Sequence, residues 1–199
     1  IATVTISVTG VNDAPTAVGD TGATDEDTIL TVAASGVLIN DSDVDTGDVL
    51  TVISFDVTST HGAVVTVTTD GAYTYDPSAS SVLETLGVAQ TTLDTFTYTV
   101  SDGHSGTSIA TVTISVTGVN DAPTALGDTS ATDEDTVLTV AASGVLSNDS
   151  DVDTGDVLTV ISFDVSSSHG AAVTVTSDGA YTYDPSASSV LETLGVAQT

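Results

Sequence analysis

The 199-residue sequence has no lysine, arginine, cysteine, methionine or tryptophan, against 28 aspartate and glutamate residues and a formal net charge of -28. A chain without cationic side chains cannot neutralise phosphates, which sets aside DNA, RNA and anionic membrane surfaces as partners. Its three histidines and its amino terminus are the only internal cations. Every carboxylate must therefore be solvated, hydrogen-bonded to backbone N–H groups, or paired with a cation from outside the polypeptide. Missing cysteine removes disulfides as a source of stability without fixing a compartment. No apolar run approaches the roughly 20 residues of a membrane-spanning helix, and no charged-then-apolar signal segment opens the sequence. The expectation is a soluble segment whose targeting signal lies outside it.

What is abundant argues for a folded chain. Strongly acidic disordered segments are poor in branched apolar residues, whereas this sequence holds 30 valines and 38 threonines and has a mean hydropathy of +0.30. Both residues are β-branched and suit a pleated, half-buried surface. With five tyrosines and three phenylalanines as its aromatics, the core must be mostly aliphatic. The expected class is all-β.

Self-similarity sets the organisation. Residues 10–91 recur as 118–199 at an offset of 108, with 74 of 82 positions identical, and IATVTISVT at 1–9 recurs at 109–117. The sequence is thus a window on a tandem array. Residues 1–11 are expected to be the last strand of a preceding repeat plus a linker, 12–117 a complete repeat, and 118–199 a second repeat lacking its last two strands.

Strand-like runs within one repeat are Thr16 to Val18, Ile29 to Ala33, Leu50 to Val57, Ala63 to Thr68, Ala72 to Tyr75, Phe96 to Val100 and Ile109 to Val116. Seven short strands with turns every 8 to 12 residues predict immunoglobulin- or cadherin-like Greek-key β-sandwich modules of about 108 residues. Asp70-Gly71 is a two-residue hairpin turn, SDGHSG from Ser101 to Gly106 a looser one, and Ser81 to Leu86 a single helical turn.

The acids concentrate in loops. Asn12 and Asp13 lie in the linker, Asp25, Glu26 and Asp27 before the second strand, and Asn40, Asp41, Asp43, Asp45 and Asp48 before the third; their copies include Asn120, Asp121, Asp133, Asp135, Asn148, Asp149, Asp151, Asp153 and Asp156. In a seven-strand sandwich the first-to-second and second-to-third connections lie at opposite ends. The DED of one repeat and the NDSDVD of the next then converge on the linker between them. Two carboxylates about 4 Å apart repel by roughly 4 kcal/mol at an effective dielectric of about 20. A hard, oxygen-seeking cation resolves that conflict. Calcium accepts 6 to 8 oxygen ligands in flexible geometry, magnesium demands tight octahedra, and zinc wants His or Cys. Asp41, Asp43 and Asp45 resemble the start of an EF-hand loop, but its position six is Thr46 instead of Gly and its position twelve Val52 instead of Glu. The candidate Ca2+ ligands are Asn12, Asp13, Asp25, Glu26, Asp27, Asp41, Asp43 and Asp45, with Asn120, Asp121, Asp133, Asp135, Asp149, Asp151 and Asp153 in the second copy.

The linker GVNDAP, the run GVLxND with alternating Asp, the hairpin DGAYTYDP and the stretch DTFTYTVSDGHSGT followed by ATVTISV together resemble the VCBS and bacterial cadherin-like repeats of large secreted, RTX-type adhesins. The resemblance covers the whole chain. It implies an extracellular stalk on the bacterial surface, made by type I secretion and serving adhesion or biofilm, whose junctions calcium stiffens. The linker motif falls on Asn120 and Asp121 and the loop motif on Asp149, Asp151 and Asp153, while Asp25 to Asp27 match more loosely the acid that a preceding cadherin module supplies. Adjacent identical repeats of the same chain are the implied partners, with other copies in a filament as a further one, and no nucleic acid or membrane insertion.

Competing readings exist for each signal. Clustered Asp and Asn also favour turns for local reasons, and isolated Asp70, Asp56 and Asp94 read as solvated. His61 and His169 precede Gly and read as turn residues. Asp102, His104 and Ser105 share one hairpin and point in different directions, with no oxyanion hole, so no enzymatic activity is expected. The alternatives to a stalk are a module binding glycans or its own kind, and a subunit of a donor-strand-linked filament.

Overall fold

The computed structural model describes residues 1–195, in two units divided between Asn120 and Asp121. Among the described residues no helix is long and apolar enough to cross a membrane.

The first unit is a β-sandwich. Its strands are β1 (Asp20–Asp25), β2 (Leu30–Val32), β3 (Thr51–Phe55), β4 (Val64–Val67), β5 (Tyr73–Asp76), β6 (Thr91–Ser101) and β7 (Thr107–Thr117). One sheet has the order β1-β7-β6-β3 and the other β2-β5-β4. Period-2 patterning explains the long strands. Along β6, Phe96, Tyr98 and Val100 point inward, and along β7 Val112, Ile114 and Val116 are fully buried while Thr113 and Ser115 between them lie half-buried on the other face. Val37, Val65, Tyr75 and Leu83 close the same core, and Tyr73 meets Phe96 edge to face at 5.7 Å. Burying each such side chain stabilises by about 1.5–3 kcal/mol.

The Asp70-Gly71 turn forms as expected. Gly71 has φ +87, and a Cβ there would meet the Ser35 carbonyl oxygen at 2.0 Å. Its own carbonyl accepts the Val37 N–H at 2.9 Å, so this turn also pins the start of the Gly36–Leu38 3-10 turn. The expected helical turn at Ser81 to Leu86 is a 3-10 turn at Leu83–Thr85, preceded by another at Pro77–Ala79.

The first strand departs from expectation. Thr16 to Val18 supplies only a bridge from Thr16 to Ser42, and the strand is Asp20–Asp25 instead. DTGATD carries no apolar alternation. It becomes a strand because it pairs in parallel with β7, from Asp20 opposite Val112 to Asp25 opposite Thr117. That pairing carries Asp25 and Glu26 to the end where β7 finishes, whereas Ser42 and its neighbours lie beside Thr16 at the other end. Residues 1–10 belong to no ladder. Val4, Ile6 and Val8 are exposed there, although the identical nonapeptide at 109–117 is strand β7.

The second unit holds β8 (Leu138–Val140), β9 (Ala172–Val175) and β10 (Tyr181–Asp184) in the order β8-β10-β9. The counterparts of β1 and β3, residues 128–133 and 159–163, run outside any ladder, with Ile161 94% exposed. In the first unit those segments are strands through β7 and β6. The second repeat as read from the sequence extends to Thr199, and residues 196–199 lie outside the described residues.

Candidate metal centre

In the first unit the acidic loop before β3, the linker and the β6–β7 hairpin share one end of the sandwich. Asp43 Oδ1 accepts the Asp45 N–H at 2.9 Å, and Asp45 Oδ2 accepts the Asp13 N–H at 2.7 Å. Asn12 Nδ2 donates to Asp102 Oδ2 at 2.9 Å, and the other oxygen of Asp102 takes the N–H groups of His104 and Gly106 at 2.7 and 3.0 Å. Donation from Asn12 is the leading cause that holds the Asp102 carboxyl below its usual range. These bonds fold the loops inward until carboxylate oxygens of Asp43, Asp48 and Asp102 lie within 4.8 Å of one another.

Backbone donors satisfy only part of this set. Asp43 Oδ2 and Asp48 Oδ2 are buried and receive no hydrogen bond. A carboxylate oxygen in that state is costly unless something cationic faces it, and the sequence offers no Lys or Arg. A cluster of carboxylates with two buried oxygens that receive no hydrogen bond fits a hard divalent cation such as Ca2+.

Asp41, a candidate from its spacing, is placed differently. Its Oδ1 accepts the Val18 N–H at 2.8 Å, and both of its oxygens lie 3.1 Å from the Tyr98 hydroxyl, which also approaches Asp20 Oδ2 at 3.3 Å. Burial raises the Asp20 carboxyl to about 6, with the neighbouring Asp41 charge acting in the same direction against hydrogen bonds from Tyr98 and Asn40.

At the opposite end of the unit, Glu26 is fully buried, and its Oε1 accepts the Val119 N–H at 2.7 Å. Asp25 Oδ1 is buried without a donor, and Asp27 is exposed. The loop after Glu84 packs on Gly118, where Ala89 donates to the Gly118 carbonyl at 3.1 Å. Glu84 and Glu26 are thus both carried toward the outgoing chain.

The second unit repeats the linker-end pattern with its own residues. Asp153 Oδ2 accepts the Asp121 N–H at 2.9 Å, Asp151 Oδ1 accepts the Asp153 N–H at 3.1 Å, and Asp149 Oδ1 accepts the Leu126 N–H at 2.8 Å. Asp151, Asp153 and Asp156 bring carboxylate oxygens within 4.8 Å of one another. Asn120 closes the first unit, and Asp133 and Asp135 lie in an exposed turn.

The sequence reading missed Asp48 and Asp102 as members of the first cluster. Asp102 was legible only as part of a hairpin, because nothing in SDGHSG says which loop faces it across the sandwich. The His104 ring points to Asp48 instead of forming a relay with Asp102 and Ser105: its Nδ1 lies 3.3 Å from Asp48 Oδ1. Asp94 corrects the solvated reading outright, since it is fully buried in β6. Hydroxyls of Ser59, Thr60 and Tyr75 and the His61 N–H converge on it. Burial pushes its carboxyl up, and these donors outweigh burial and bring it down to about 2. Asp56, also read as solvated, accepts the Thr97 N–H and hydroxyl at 2.8 and 2.6 Å.

The family model described as bacterial cadherin-like domain matches residues 12–118 and again residues 120–198. No curated protein matches the chain. Among solved structures, a protocadherin gammaB7 EC3-6 cis-dimer is similar at 15% identity and a TM-score of 0.43, over 90% of this chain and 40% of that one. The chain therefore spans less than half the length of that protein.

Proposed function

Because the chain belongs to the bacterial cadherin-like domain family, whose members are structural and adhesion modules, we propose that it is a calcium-stiffened extender repeat of an extracellular bacterial adhesin or surface filament. It has no catalytic role and acts as a stalk in adhesion or biofilm. The repeat is the segment 12–117, joined to a preceding copy through 1–11 and to a following one from 118. The observation that carries the reading is the group formed by Asp43, Asp48 and Asp102, with buried, undonated oxygens on Asp43 and Asp48 in a chain without Lys or Arg. Asn12, Asp13 and Asp45 complete the donor set there. Asn120, Asp121, Asp151 and Asp153 are the corresponding ligands of the second copy, with Asp133 and Asp135 in its outgoing acidic loop, and Asp149 accepts the Leu126 N–H as Asp41 accepts that of Val18. Asp25, Glu26 and Asp27 serve the far end of the first repeat, and Asp41 braces the loop from behind.

Calcium bound at each junction orders the loops that flank it and restricts bending between repeats. Extracellular modules bind calcium with Kd of about 0.1–1 mM, so the stalk is soft where calcium is scarce and stiff outside the cell. The test is calorimetric titration of the metal-free chain with Ca2+, paired with small-angle scattering with and without chelator. Saturable binding with a longer, more uniform particle is expected. No heat, and identical melting and scattering in chelator, would return the acids to solvated turns.

A further inference from the structure

In the first unit β1 and β2 are edge strands of the two sheets, and a cleft of about 300 Å³ lies between them, its walls including Asp20, Gly22, Val32, Ala34, Ile39 and Tyr73. Tyr73 is 5% exposed and its ring packs on Phe96, so its hydroxyl is the part that faces the cleft. The other two tyrosines of this core, Tyr75 and Tyr98, place their hydroxyls on acceptors at 2.6 and 2.8 Å. Among the described residues none takes up the Tyr73 hydroxyl. A polar group so deeply buried is costly without a partner. Gly22 keeps the space in front of it open, since a Cβ there would come within 3.3 Å of the Tyr73 oxygen and press on the ends of Ile114 and Leu30.

The repeats differ at eight positions between 10–91 and 118–199, and two of these line the cleft: Gly22 is replaced by Ser130 and Ile39 by Ser147. Both are substitutions within the repeat and owe nothing to its ends. Ser130 meets the Tyr181 hydroxyl, the counterpart of Tyr73, at 2.6 Å. In the first repeat that partner is missing and the lip of the cleft is apolar.

The lining chemistry narrows what could enter. Asp20 and the net charge of -28 repel anions. A sugar ring stacks on an aromatic face, and that of Tyr73 is turned to the core. A primary ammonium suits the cleft, because the Asp20 carboxylate and the Tyr73 oxygen both accept from it. Val32, Ala34 and Ile39 offer apolar contact to a methylene stem. Burial, and after it the Asp20 charge, raises the Tyr73 hydroxyl, which keeps it neutral. The sequence has no Lys of its own to insert.

We propose that the cleft between β1 and β2 of the first unit binds a primary alkylammonium group, with Asp20 and Tyr73 as acceptors and Val32, Ala34 and Ile39 along its stem. A lysine side chain of a partner and a free diamine carry this same group. The site shares no residue with the Asp43, Asp48 and Asp102 group, so it stands or falls apart from the calcium reading.

The test uses the full 199-residue chain at neutral pH, physiological salt and saturating Ca2+, titrated by NMR with cadaverine, with the peptide acetyl-Val-Lys-Val-amide, and with the same peptide acetylated on its lysine. Saturable shifts at the Gly22 amide and the Tyr73 ring are expected with the first two ligands and not with the third. Tyr73→Phe keeps the ring and breaks no hydrogen bond, so its melting should not fall, while its affinity should drop about tenfold, the worth of a hydrogen bond to a charged group. Gly22→Ser should weaken binding similarly by placing a hydroxyl on Tyr73. Tighter binding of the peptide than of cadaverine identifies a partner's lysine, since the free edge of β1 can pair with an extended chain; the reverse order identifies a free amine. Equal affinity in Tyr73→Phe and wild type, equal binding of the acetylated peptide, or shifts spread over the acidic loops instead of the cleft overturns the proposal.

Discussion

The carboxylate of Asp94 and the hydroxyl of Tyr75 meet at 2.6 Å inside the first unit, where neither side chain reaches solvent. An ionised group in such a position survives because donors surround it. Ser59 and Thr60 come from the loop before β4, His61 adds its N–H, and Thr95 donates its own N–H at 2.8 Å. The node ties that loop to β5 and β6, so it works as a polar rivet between the two sheets.

Removing the acceptor strands all of these donors at once. Asp94→Ala is expected to destabilise the first unit by about 3 kcal/mol or more, since each buried donor left unpaired costs about 1–3 kcal/mol. Urea unfolding followed by tyrosine fluorescence measures this. A loss below about 1 kcal/mol would show that water replaces the carboxylate freely.

The acids predict opposite slopes in the pH dependence of stability. An unfolded aspartate titrates near about 3.9. Asp94 is depressed to about 2 in the folded unit, so its contribution is complete above about pH 4 and is lost as pH falls through about 2. Asp20 is raised to about 6; the folded state then binds its proton first, and stability from this group rises as pH falls from about 6 toward 4. In chelator, wild type should therefore gain stability on mild acidification and lose it in strong acid. Asp20→Asn should flatten the first limb and Asp94→Asn the second. Parallel wild-type and Asp20→Asn profiles between pH 4 and 6 would contradict the assignment.

The proposed calcium site predicts a crossing of stabilities. Asp43 and Asp48 carry charges within 4.8 Å of each other, a repulsion of roughly 3 kcal/mol at an effective dielectric of about 20. Asp43→Asn with Asp48→Asn should melt above wild type in chelator. With calcium at tenfold excess over Kd, wild type gains about 1.4 kcal/mol per site, and the double variant should gain less. Melting curves that keep the same order in both conditions would count against an ion between these groups.

Two glycines separate backbone strain from crowding. Gly47 and Gly71 both have positive φ, at +105 and +87, but a Cβ at Gly47 meets nothing within 4 Å, while at Gly71 it strikes the Ser35 carbonyl. Gly47→Ala should cost about 1–2 kcal/mol. Gly71→Ala should cost about 3 kcal/mol or more, because overpacking adds to the strained backbone. Thermal unfolding of the two variants in parallel decides the ranking.

Strands carrying their own alternation could be read from the sequence. β6 and β7 announce themselves through Phe96, Tyr98 and Val100 and through Val112, Ile114 and Val116, and the structure only lengthens them. β1 does not, because DTGATD owes its conformation to the neighbour that pairs with it. The burial of Asp94 was open to the same period-2 logic: it shares the parity of Phe96 and Tyr98, and its charge made the solvated reading tempting. The candidate metal centre was half visible. Asp43 follows from spacing within its loop, whereas Asp102 joins it only through the fold, from a hairpin nearly 60 residues further along.

The nonapeptide IATVTISVT exists twice in this molecule, once outside any ladder at residues 1–9 and once as the core of β7. Side chains and the following residues GVNDAP are the same, so most of the intrinsic preference cancels between the copies. What differs is the presence of β1 and β6 on either side. The ratio of amide exchange rates at Val4 and Val112, Ile6 and Ile114, or Val8 and Val116 would thus read the free energy of strand pairing directly, each protected residue carrying its own unprotected reference within one polypeptide.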